Sequence, residues 1–113
     1  MARPRLRIDV RRPMTHKATE SDASGELQAQ LARVALGDRA AFERVYRMTS
    51  AHLFGVALRI LHRRDLAEDV LQEAFVNVWH HAGGYEAHQA QPMTWLISVV
   101  RNKALDHLRS AQR

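Results

Sequence analysis

Cysteine is absent from the sequence, so neither a disulfide framework nor a thiolate metal site can form, a composition that suits a reducing cytoplasm. No apolar run approaches the roughly 20 residues that a membrane span requires, and a soluble chain is expected. The uninterrupted apolar stretch that would follow the basic start of a secretory leader is missing. No strand-like alternation and no internal repeat occur. There is no G-x-S-x-G, no phosphate-cradling glycine loop and no cysteine nucleophile, so catalysis has no visible machinery.

Metal chemistry is equally poorly supplied. Seven histidines are present. His80 and His81 are adjacent, however, and neighbours on a helix point about 100° apart, which ill suits chelation of one ion. No carboxylate completes an H-E-x-x-H spacing, and His16, His52, His62, His88 and His107 are scattered over different segments. Neither a metal nor a cofactor is expected.

What the chain does have is charge and helical periodicity. Its 113 residues, 46% hydrophobic and 26% charged, suffice for one small packed domain plus a tail. The formal net charge is +5, and most of the excess sits in residues 1–13, where Arg3, Arg5, Arg7, Arg11 and Arg12 face only Asp9. This stretch reads as an unstructured basic arm, with a nucleic-acid-contacting tail as the alternative and Met14 as a second candidate start. THKATESDASG carries no period and reads as a linker, so residues 1–25 form arm and linker and residues 26–113 the helical domain.

Four helical segments are predicted. ELQAQLARVAL, residues 26–36, aligns Leu27, Leu31, Val34 and Ala35, with Gly37 as its stop and Asp38 as the next N-cap. Residues 39–62 repeat apolar side chains at three- and four-residue spacing and end in HRR, basic groups suited to a helix C-terminus. A third helix opens at Asp65 with a D-x-x-E capping box to Glu68 and buries Leu66, Val70, Leu71, Ala74, Phe75 and Val78. Gly83 and Gly84 end it. Pro92 starts a fourth helix, to Ser110, whose stripe is Trp95, Leu96, Val99, Val100 and Leu108. The expected fold is all-α, a compact bundle of three to four helices.

Two helices carry opposite chemistry. Glu68, Asp69, Gln72, Glu73 and Asn77 fall off the third stripe, so the negative charge of DLAEDVLQEAFVNVW is exposed. The fourth helix exposes Ser98, Arg101, Asn102, Lys103 and Arg109 beside a loop bearing Tyr85. Basic groups attract phosphate, an amide can pair with a base edge and an aromatic ring can stack on an unpaired base. A solvated helix face is the competing reading.

GDRAAFERVYRMTSAHLFGVALRIL, AEDVLQEAFVNVW and TWLISVVRNKALDHLR together resemble region 2 of bacterial RNA polymerase sigma factors of the extracytoplasmic-function group. The resemblance spans roughly residues 27–110. It implies that the third helix docks on the clamp coiled coil of the polymerase largest subunit through Asp69, Gln72, Glu73 and Asn77. It also implies that the loop and fourth helix hold a base of the promoter −10 non-template strand, turned out of the stack. Asn102 would contact that base and Tyr85 would wall the pocket, with Ser98, Arg101 and Lys103 close by. The helix's own pattern adds Arg109 as positive charge and, from its place on the apolar stripe, puts Trp95 in the core rather than as a wedge. No ATP is required. The family carries a second helical domain that reads the −35 element, and the sequence to Arg113 shows none, so the expectation is either a fragment or a chain lacking duplex anchoring of its own. Two other readings remain open, a sigma-like helical interaction module bound by an anti-sigma factor without DNA readout, and a general nucleic-acid binder driven by the arm.

Overall fold

The computed structural model describes residues 20–112. The basic arm, the start at Met14 and Arg113 lie outside the described residues. Four helices follow one another: α1 (Glu20–Ala35), α2 (Arg39–Leu61), α3 (Arg64–His81) and α4 (Pro92–Ala111), with one 3-10 turn at Ala82–Gly84. No strand occurs among the described residues, and the fold is all-α as the periodicity predicts.

α1 begins at Glu20 rather than Glu26. The added turns carry no apolar period, so burial gives no signal there, yet nothing in ESDASG forbids a helix apart from the modest cost of Gly25. A tertiary tie helps to hold them, since the Ser24 hydroxyl donates to the Gln91 side-chain carbonyl at 2.9 Å. Leu27, Leu31 and Val34 are buried, whereas Ala35, expected in the stripe, is exposed.

The corner between α1 and α2 is built from two residues. Gly37 takes φ +87°, its N–H reaches the Val34 carbonyl at 2.8 Å, and the Asp38 N–H reaches Arg33 at 3.1 Å, the paired bonds of a Schellman end. Asp38 then caps α2 by accepting from the Ala41 N–H at 3.1 Å, and it pairs with the Arg33 guanidinium at 2.9 Å. The Ala41 N–H, and after it Arg33, hold the Asp38 carboxyl below its ordinary range.

The next corner departs from expectation. α2 ends at Leu61, and His62 is its cap in the left-handed region at φ 58°. Of the HRR run, Arg63 is already the N-cap of α3 and Arg64 its first residue, so these charges stand at a helix start rather than a helix end. The capping box does not form. Because α3 starts one residue before Asp65, that carboxylate lies inside the first turn and takes the Arg63 fork at 2.7 and 3.2 Å, while Glu68 pairs with Arg64 at 3.5 Å. Two carboxylates thereby offset two cations at the positive end of the helix dipole.

All four helices contribute to one core. Phe42 meets Phe75 edge-on with ring centroids 6.1 Å apart and Trp79 at 5.3 Å, and Tyr46 lies 4.8 Å from Phe75, so aromatic rings lock α2 to α3. Burial pushes the Tyr46 hydroxyl up to about 12. The buried Thr49 hydroxyl donates back to the Val45 carbonyl at 2.7 Å. On α4 the buried line is Pro92, Leu96, Val100 and Ala104. Of the expected stripe, Leu96 and Val100 are buried, Trp95 and Val99 are half-buried and pack against the core from one flank, and Leu108, on the other flank, is 38% exposed. Ala104, small enough to let the helices approach, completes the buried line. No described helix is long and apolar enough to cross a membrane.

Candidate functional site

On α3 the buried line of Ala67, Val70, Leu71, Ala74, Phe75 and Val78 leaves the opposite face to solvent. Asp69, Glu73 and Asn77 follow one another at four-residue spacing and therefore share a ridge, with Gln72 beside them. Asp69 and Gln72 are exposed, and Glu73 and Asn77 are half-buried. Glu68, Asp69, Gln72 and Glu73 line a shallow depression. Asp69 has no ionic partner among the described residues, whereas Glu68 is already paired with Arg64.

Glu73 is different. Its Oε1 lies 3.2 Å from His107 Nε2 on α4, a link between residues 34 positions apart. It also borders a second depression, between α3 and α4, lined by Lys103, Asp106, His107 and Ser110. Sequence spacing gives no sign of this pairing, which depends on how the two helices cross.

The opposite chemistry gathers on α4 and the loop before it. Ser98 and Asn102 are both exposed, and Trp95, Ser98, Asn102 and Arg109 recur at three-, four- and seven-residue spacing along one ridge. The Ser98 hydroxyl donates to the Trp95 carbonyl at 2.6 Å, which directs its lone pairs outward. Tyr85 packs its ring on Trp95 at 5.6 Å and 51°, and its hydroxyl donates to the Ala90 carbonyl at 2.8 Å. Desolvation pushes that hydroxyl above its ordinary range. The Tyr85 contacts span the loop and brace it at both ends, while turn bonds from Gln89 and Ala90 to the Glu86 carbonyl shape its middle.

The structure does not bring every predicted residue onto that ridge. Arg101 is exposed, but one position from Asn102 on a helix turns it about 100° to the side. Lys103 turns the other way into the α3–α4 groove, where it is half-buried. Arg109 stays on the ridge, but its charge is engaged by the Asp106 carboxylate. Trp95, expected in the core from its place on the apolar stripe, packs against the core and is half-buried, and it also meets Tyr85 at the junction of loop and helix. Among the described residues no three His, Asp or Glu side chains converge as metal ligands would.

Residues 45–113 match the protein family described as Sigma-70 region 2. The chain is also similar to proteins named ECF RNA polymerase sigma factor SigK. That of Mycobacterium ulcerans (strain Agy99) is 33% identical over 89 residues, covering 79% of this chain and 48% of the relative. That of Mycolicibacterium vanbaalenii is 33% identical, covering 79% and 45%. That of Mycobacterium tuberculosis (strain ATCC 25618 / H37Rv) is 32% identical, covering 79% and 48%. The chain thus spans about half the length of the curated relatives it matches.

Proposed function

The chain belongs to the sigma-70 region 2 family, in its extracytoplasmic-function group, and from that membership we propose that it binds the clamp of core RNA polymerase through α3 and captures the promoter −10 element with α4 and the preceding loop. The observation that carries the proposal is the separation of chemistry between adjacent helices. Asp69 and Gln72 stand exposed on α3, and Ser98 and Asn102 stand exposed on α4 next to the Tyr85–Trp95 pair.

Each face suits its own partner. Carboxylates and amides meet basic side chains of a protein while repelling phosphate, so Asp69, Gln72, Glu73 and Asn77 favour the clamp over DNA. On α4, Asn102 can donate to and accept from one base edge, and the aromatic pair offers a wall against which an extruded base can lie. Arg101 supplies attraction to the strand backbone, and Arg109 can add to it by exchanging Asp106 for a phosphate. Turning a base out costs a few kcal/mol, which stacking worth about 1–3 kcal/mol together with edge hydrogen bonds can offset. Melting then amounts to trapping strands that have opened thermally, and no nucleotide hydrolysis is needed.

Fluorescence anisotropy with labelled −10 single strands, in the presence and absence of the polymerase clamp coiled coil, tests this. Sequence-dependent binding of the strand together with clamp binding is expected. Clamp binding with no sequence preference for DNA would instead mark a protein-interaction module of the kind an anti-sigma factor holds.

A further inference from the structure

Among the described residues, Glu73 is the one member of the α3 face whose carboxylate is held from a different helix. His107 Nε2 lies 3.2 Å from Oε1, with the Glu73 side chain 42% and the His107 side chain 29% exposed. Glu73 also borders both the acidic depression on α3 and the α3–α4 groove, so it stands on the boundary between them. We infer that His107 is a positioning residue for the polymerase-facing surface, acting through Glu73. The inference rests on the reading of α3 as that surface.

The chemistry is that of a carboxylate with two oxygens. One accepts from the imidazole, and the other remains available to a basic group of the partner. A glutamate on a bare helix face would sample several rotamers and would have to be ordered when the partner arrives. The His107 contact settles that cost during folding. The remaining charges of the groove do not compete for the same oxygen: Asp106 is tied to Arg109, and no Lys103–Glu73 ion pair forms among the described residues. Among the described residues, Asp69 and Asn77, one turn to either side on α3, have no such anchor on α4. The helix that carries Asn102 toward nucleic acid therefore also sets the posture of a residue on the protein-binding face.

The test titrates the full chain against the clamp coiled coil of bacterial core RNA polymerase and, separately, against a −10 single strand. His107→Ala should weaken clamp binding about two- to ten-fold, the penalty of ordering one long side chain, while strand binding stays within about two-fold. His107→Gln, whose amide can still donate to the carboxylate, should restore most of the loss. In a Glu73→Ala background, His107→Ala should add nothing. An equal loss in both backgrounds, or a matching loss of strand binding, would show damage to the fold and overturn the inference. Clamp affinity untouched by His107→Ala but lost in Asp69→Lys overturns the inference and spares the reading of α3. Indifference to both variants overturns the two together.

Discussion

Asn102 carries an amide that donates and accepts, and it projects from the exposed side of α4 with no competing partner among the described residues. Asn102→Ala should lower discrimination between matched and mismatched −10 strands by about 1–3 kcal/mol and leave clamp affinity unchanged, as read by parallel anisotropy titrations. For the other face, Asp69 is a cleaner probe than Glu73, because it is exposed and has no ionic partner among the described residues, whereas Glu73 also braces α4. Asp69→Lys should weaken clamp binding by placing like charge against a basic partner, with the melting temperature unchanged. Exposure at Asp69, Gln72, Ser98 and Asn102 was legible from their positions off the apolar stripes. The Glu73–His107 bond and the turning of Lys103 into the groove were not, since both depend on a crossing between helices that no local pattern encodes.

At the scale of elements, the two tight corners set the order of the bundle. Gly37 holds φ +87° with open space where a Cβ would stand, so the objection to a side chain there is backbone strain rather than crowding. Gly37→Ala should cost about 1–2 kcal/mol in urea unfolding. His62 occupies the same left-handed region with a full side chain, and His62→Gly should stabilise the protein by up to about 1 kcal/mol. The contrast explains what the sequence told and withheld. A glycine followed by an aspartate announced the first corner. The second was hidden, because His62 fills a place where glycine is usual and the arginines beside it imitate the end of a helix while in fact beginning one. The extra turns of α1 were hidden for another reason: they contribute a bond from Ser24 to Gln91 but no apolar stripe.

For the whole molecule, carboxylates at the corners link stability to acidity. The Asp38 carboxyl is lowered from 3.8 by the Ala41 N–H and Arg33, and the Asp65 carboxyl by Arg63. Groups so lowered stabilise the fold above their unfolded value, and that contribution disappears as pH falls through the folded one. The melting temperature should therefore drop as pH is taken below about 4, and less steeply in the Asp38→Asn, Asp65→Asn double variant, as followed by circular dichroism. At the alkaline end the sign reverses. Tyr46, with its hydroxyl raised from 10.0 to about 12, stabilises fully below 10 and loses that effect as pH climbs toward 12.

The placement of the two tryptophans gives the molecule its own optical gauge. Trp79 is set against Phe42 in the α2–α3 packing, and Trp95 lies against Tyr85 where loop meets helix. With Phe in place of Trp79, a single indole remains, stationed at the mouth of the proposed nucleotide pocket. Its emission would register strand capture directly, letting the kinetics of promoter opening be watched without any attached dye.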